Sequence, residues 1–213
     1  MDLPRPLLCL VTGASADQAG TLDLITRSIR AGIDFIQIRE REMDDRSLLQ
    51  VTRMAVERAR GTRTRVVVND RLDVALAAGA GGVHLRADSM AGSIVRRHAP
   101  DEYVIGRSVH SRAEAIEAER DGGYDYLIFG TVFDSLSKPA GRPSQGLTAL
   151  RAVCEAVRLP VLAIGGISIE RARGVAEAGA AGVAAISLFA RARDLDRVVR
   201  ELRAGLTPDP KVV

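Results

Sequence analysis

The sequence predicts an α/β fold, a single (β/α)8 TIM barrel, and three observations carry that prediction. Short apolar runs alternate with helical patterns eight times within 213 residues, the count that a closed barrel requires. These runs lack polar alternation, which suits parallel strands covered on both faces. The last two end in Gly165-Gly166-Ile167 and Ile186-Ser187. Bare backbone N–H groups at such strand ends make an anion cup, and in a barrel of this kind the phosphate site commonly follows strands 7 and 8. The competing arrangement is a doubly wound open sheet, but Gly13 belongs to no Gly-x-Gly-x-x-Gly fingerprint.

Taken in order, strands are predicted over residues 7–12, 35–39, 65–69, 82–85, 103–108, 126–130, 161–164 and 183–187. Helical patterns between them include 46–60, 112–120, 147–157 and 169–178. A weak internal echo supports the assignment. Ala31-Gly32-Ile33-Asp34, Ala78-Gly79-Ala80-Gly81, Gly122-Gly123-Tyr124-Asp125 and Ala178-Gly179-Ala180-Ala181 each stand where a helix hands over to an even-numbered strand, and glycine after a helix is a stop signal. No linker interrupts residues 1–206, which read as one domain, and residues 207–213 read as a tail outside the core.

Composition narrows the function. Aromatic residues make up 3% and Trp is absent, so Val, Ile, Leu and Ala must fill the core. A base-stacking nucleic-acid surface is not supported, because stacking platforms need aromatic side chains. The net charge of +3 is mild, and arginines such as Arg53, Arg58, Arg60 and Arg63 suit a solvated helix face. Cys9 and Cys154 lie in apolar runs without metal-type spacing and read as buried thiols of a reducing compartment. No signal peptide or membrane-length run is read in the chain, so the expected location is the cytoplasm. A homo-oligomer is compatible with all of this.

Polar residues gather where the strands end, which is where barrel sites form. Alternation after strand 2 gives Gln37, Arg39 and Arg41 a common side, and two guanidiniums there suit a diphosphate. They equally suit a charged strand end paired with Glu40 and Glu42. After strand 3, Asn69 offers a donor and an acceptor to a heterocycle. Asp70 can either ligate Mg²⁺ or cap the following helix. Asp88 and Ser89 are alternative caps of the next one. Strand 5 brings Ser108 toward the mouth, His110 as an acid/base candidate and Ser111 as an N-cap. The long polar loop 131–146 carries Ser135, Ser137 and Lys138, two hydroxyls and a cation suited to a phosphate clamp that closes as a lid.

In their order along residues 8–200, these phrases resemble the thiamine-phosphate synthase/TenI family. They are Gln37 to Arg41, Asn69-Asp70-Arg71, Gly82-Val83-His84-Leu85, Gly106-Arg107-Ser108-Val109-His110-Ser111, Ser135 to Lys138, Gly165-Gly166-Ile167 and Ile186-Ser187. The resemblance implies the same barrel. Its synthase branch joins hydroxymethylpyrimidine diphosphate to hydroxyethylthiazole phosphate and releases pyrophosphate. Its TenI branch aromatises a carboxythiazole phosphate.

By position, the resemblance assigns Gln37, Arg39 and Arg41 to the pyrimidine-diphosphate segment, with Arg41 standing where Lys is usual. It assigns Asn69 to reading the pyrimidine and Asp70 to Mg²⁺. Ser108 and Lys138 fall on the diphosphate side, and Arg39, Ser108 and Lys138 among the catalytic groups. Ser135 and Ser137 match the thiazole-phosphate hydroxyls, and Gly166, Ile186 and Ser187 the thiazole-phosphate cup. Two departures stand out. The second metal carboxylate aligns with Ser89, leaving Asp88 one residue earlier as the substitute ligand, and the catalytic His of the tautomerase aligns with Thr131. A synthase-type transferase using Mg²⁺ is the leading expectation. The alternatives are a tautomerase with a displaced base such as His110, and a non-catalytic sensor of thiazole phosphate or thiamine phosphate.

Overall fold

Eight strands alternate with helices along the chain in a computed structural model that describes residues 3–13, 17–134 and 144–207. The strands are β1 (Leu7–Val11), β2 (Phe35–Ile38), β3 (Arg65–Asn69), β4 (Gly82–Leu85), β5 (Val104–Val109), β6 (Tyr126–Gly130), β7 (Val161–Ile164) and β8 (Gly182–Ala185). The helices are α1 (Gln18–Arg30), α2 (Asp45–Ala59), α3 (Leu72–Ala78), α4 (Gly92–His98), α5 (Arg112–Asp121), α6 (Gly146–Cys154), α7 (Ala172–Glu177), α8 (Ser187–Ala190) and α9 (Leu195–Leu206). All eight strands are parallel, and β8 closes on β1 with Leu7 opposite Gly182. The open-sheet alternative is thereby excluded.

Each strand is covered twice. Leu7, Cys9, Val11, Phe35, Val104, Tyr126 and Leu162 point into the barrel, while Leu8, Leu10, Ile36, Ile38, Ile105 and Leu127 pack under the helices. Every residue of β1, β2, β4, β6 and β8 is buried, which is why these runs carry no polar alternation. Gly106 in β5 makes the interior possible. A Cβ there would lie 2.2 Å from the Tyr126 ring and 2.6 Å from His84 Nδ1, so glycine gives the two rings their room.

Four helices start on a side-chain cap, with Asp17, Asp44, Ser111 and Asp194 accepting from the N–H groups of Gly20, Ser47, Glu114 and Arg197. Most predicted ends lie within one residue of those found, and three move further: α6 stops at Cys154 where the pattern ran to 157, and the others are an end of β8 and the start of α7. β8 stops at Ala185, its last partner on β1 being Leu10; Ile186 already turns, and Ser187 opens α8 instead of closing the strand. Helix α7 begins at Ala172, later than the pattern from 169 suggested. Cys9 is buried as expected, but Cys154 is only partly so, and both thiols are free.

Candidate active site

Strand alternation sends Gln37, Asn69, His84 and Ser108, one from each of β2 to β5, into the C-terminal end of the barrel. They join in two short chains. Gln37 Nε2 donates to Asn69 Oδ1 at 2.9 Å. His84 stands between Tyr126 OH, 3.1 Å from Nδ1, and Ser108 Oγ, 2.9 Å from Nε2. Burial, reinforced by the nearby Arg39 charge, pushes the His84 imidazolium down to about 3, so the ring is neutral and one of its nitrogens accepts. The first chain leaves Gln37 Oε1 buried and without a partner among the described residues. The Asn69 amide gives that bond only its oxygen, so its Nδ2 donor is not used there. A buried acceptor without a partner is costly unless a ligand supplies the donor.

Above this floor lies a cationic rim. Arg39 follows β2, its backbone N–H bonded to Thr12 Oγ1 at 2.9 Å. The Arg39 guanidinium is half-buried; burial and the charges of Arg41 and Arg86 make its protonation harder, with Glu40 opposing. No carboxylate lies within ion-pair distance of Arg39 or Arg41 among the described residues, so the pairing with Glu40 and Glu42 is not formed there. Arg41 itself is exposed.

Asp70 sits at φ 61°, a left-handed conformation that Asp tolerates better than most residues. It caps nothing: α3 begins after Arg71 without a side-chain cap. Its carboxylate instead takes the Ser89 hydroxyl and lies 3.5 Å from Arg86 Nη1. Asp88 and Ser89 also cap nothing, since Ala91 precedes α4. Asp88 holds Arg86 through Nε at 2.9 Å and Nη2 at 2.5 Å. Asp70, Arg86, Asp88 and Ser89 border a hollow of about 140 Å³. A larger one, about 320 Å³ beside Glu119, Arg158 and Pro160, opens at the N-terminal end of the strands, away from the face where barrel sites form.

Across the mouth, Ile164 of β7 pairs with Ala184 of β8, so Gly165-Gly166 and Ile186-Ser187 leave the barrel side by side. Gly166 has φ +60°, and a Cβ would come within 2.5 Å of Asp134 O and 2.7 Å of Phe133 Cβ. Glycine is therefore required by the packing of two loops as well as by any anion. His110 donates from Nδ1 to Gly130 O at 2.8 Å, which fixes the tautomer and leaves Nε2 as the basic nitrogen. Ser135, Ser137 and Lys138 lie outside the described residues. The ends of their loop are joined, with Gln145 N donating to Thr131 O and Gly146 N to Val132 O, both at 2.9 Å.

Residues 8–189 match the family model described as thiamine monophosphate synthase. The chain belongs to that family. A thiamine-phosphate synthase of Moorella thermoacetica is 39% identical over 188 residues, covering 88% of this chain and 89% of that one. Its counterpart in Chlorobium phaeovibrioides is 34% identical over 206 residues, covering 95% and 97%. Among solved structures, thiamine phosphate pyrophosphorylase from Pyrococcus furiosus superposes with a TM-score of 0.80 at 33% identity, covering 94% and 95% of the two chains.

Within this thiamine monophosphate synthase family member, the expected Mg²⁺ ligands are already engaged. A hard dication wants oxygen ligands only, whereas Asp70 and Asp88 both face the guanidinium of Arg86. Among the described residues no group of three or more His, Cys, Asp or Glu is placed to hold a metal. With the Arg86 guanidinium between them, the two carboxylates as arranged do not fit the ion. Sequence reading also missed His84, Tyr126 and Arg86. His84 had a readable signal, since it follows Gly82 at strand period and shares parity with the inward residues of its neighbours. Arg86 had none, because it lies beyond the strand end.

Proposed function

We propose that this protein is a thiamine-phosphate synthase, a transferase that joins a hydroxymethylpyrimidine diphosphate to a hydroxyethylthiazole phosphate and releases pyrophosphate. The observation that carries the reading is the pairing of Gln37 with Asn69. Their hydrogen bond uses one donor and one acceptor, leaves the buried acceptor Gln37 Oε1 without a partner among the described residues, and commits no donor of the Asn69 amide. That edge complements an aminopyrimidine, which offers an amino donor next to a ring-nitrogen acceptor. Gln37 is thus assigned to the heterocycle, with Asn69, while Arg39 and Arg41 above it are left for the diphosphate.

The reaction is a displacement at the pyrimidine methylene carbon. The bond from that carbon to the diphosphate oxygen breaks with its electron pair leaving on pyrophosphate, and the thiazole nitrogen supplies the pair for the new C–N bond. Arg39 and Arg41 stabilise charge as it develops on the leaving group, most strongly where water is excluded. Ser108, set by neutral His84, adds a hydroxyl at the diphosphate side. The loop glycines and the Ser187 backbone hold the thiazole phosphate, and the gain comes from orientation, with no protein nucleophile required. Lys138, Ser135 and Ser137 are assigned to the two anions by family position.

The test is incubation with both substrates, reading thiamine phosphate, beside incubation with carboxythiazole phosphate alone. Coupling is expected. A second reading, a tautomerase using His110 Nε2, draws on the fixed tautomer of that ring; aromatisation without coupling replaces the first reading with it. Binding without turnover in both assays favours a sensor.

A further inference from the structure

We propose that Arg86 supplies the cation of the diphosphate site, its guanidinium standing between Asp70 and Asp88 where a bound dication would otherwise be expected. The inference takes the identity of the anion from the transferase reading and adds how the site balances its charge.

Three observations meet on this side chain. First, Arg86 bridges the two carboxylates, gripped by Asp88 through two hydrogen bonds and facing Asp70 at 3.5 Å. Second, the positive charge of Arg86 reaches the half-buried Arg39 at the end of β2, as that of Arg41 also does, and like charges that feel one another are held at least cost when an anion joins them. Third, the Arg86 side chain is 56% exposed and borders a hollow beyond the ends of β3 and β4, shared with Asp70, Asp88 and Ser89.

The geometry suits a diphosphate. Of the five N–H groups of a guanidinium, Asp88 uses two and Asp70 attracts a third, which leaves two for phosphate oxygens. Asp88 acts here as a positioning residue that fixes the fork, and Ser89 fixes Asp70. The bridge also opposes metal binding, because a dication entering between the carboxylates must displace Arg86.

Calorimetry with inorganic pyrophosphate tests the proposal on the whole chain, in excess chelator and again with millimolar Mg²⁺. The wild-type protein should bind pyrophosphate in chelator. Arg86→Ala should lose fivefold or more in chelator and regain affinity with Mg²⁺, because the freed carboxylates and the diphosphate oxygens then complete an oxygen shell. Arg86→Lys, which keeps the charge and loses the fork, should fall between the two. Thermal unfolding of each variant checks that the fold is intact.

Wild-type binding seen only with Mg²⁺, or a loss below fivefold in Arg86→Ala, overturns the proposal. The two readings fail separately. Pyrophosphate binding that depends on Arg86 in a protein without coupling activity sinks the transferase reading alone. Coupling in a protein that binds no pyrophosphate in chelator sinks the role of Arg86 alone.

Discussion

At the scale of single residues, the neutral His84 and the Gln37–Asn69 pair make separate predictions. A free histidine titrates near 6.5, whereas burial and the Arg39 charge push the His84 imidazolium down to about 3. Between these values the unfolded chain binds a proton that the native state refuses, so stability rises with pH through this window and falls as pH drops. The contribution lost on going from pH 7 to pH 3 is on the order of 4 kcal/mol. His84→Gln should flatten the denaturation midpoint against pH between 6.5 and 3, and an unchanged slope refutes the buried neutral ring. Asn69→Ala removes the donor and strands the Gln37 amide. It should cut kcat/KM for the pyrimidine diphosphate by roughly ten- to a hundredfold, in line with about 1–3 kcal/mol for an unsatisfied buried group. The KM for thiazole phosphate should stay nearly constant, and steady-state kinetics with each substrate varied decides it.

At the scale of elements, the phosphate cup is built from two strand ends whose packing and binding roles must be tested apart. Gly166→Val is a poor probe, because the left-handed φ and the contact with Asp134 O strain the loop whether or not an anion binds. Ser187→Asp separates the effects. Ser187 is exposed at the first position of α8, where a carboxylate is favourable to the helix and repels a phosphate. The melting temperature should hold or rise slightly while thiazole-phosphate affinity drops at least tenfold by calorimetry. Unchanged affinity moves the cup elsewhere. The echo before the even strands also has an element-scale meaning. In two of its four copies the aspartate reaches the preceding odd strand, Asp34 accepting from Leu8 N at 2.9 Å and Asp125 from Ile105 N at 2.8 Å.

At the scale of the molecule, these aspartates tie the bottom of the barrel to its outer helices. Asp34 is 3% exposed, and Arg203 of α9 donates to its two oxygens at 3.0 and 2.9 Å. The same guanidinium also donates to Pro6 O and Gly32 O. One side chain from the last helix thus joins β1, the α1–β2 turn and the C-terminal end of the described chain. Arg203→Ala leaves the buried carboxylate only Leu8 N and the more distant, exposed Arg63 at 3.8 Å and should cost about 3 kcal/mol in urea unfolding. Arg197→Ala, which removes an exposed pair with Glu201, should cost under about 0.5 kcal/mol. Equal effects contradict the clamp.

The sequence by itself determined the barrel. Eight apolar runs at the right spacing, each needing cover on both faces, leave a closed parallel sheet as the economical way to bury them. Alternation within those runs also placed Gln37 and Ser108 toward the mouth, because a strand period of two is a local property. The tertiary structure decided what alternation cannot reach. Strand ends dissolve this period: Ser187 became the start of a helix, Asp70 turned to Ser89 and Arg86, 19 and 16 residues further on, and Arg86 was caught by Asp88 just beyond it. The sequence left Asp70 free to cap a helix or bind a cation, and only the close approach of the β3 and β4 ends turned it toward Ser89 and Arg86. Which charges meet in a site depends on distances across strands, and a sequence carries distances only along one.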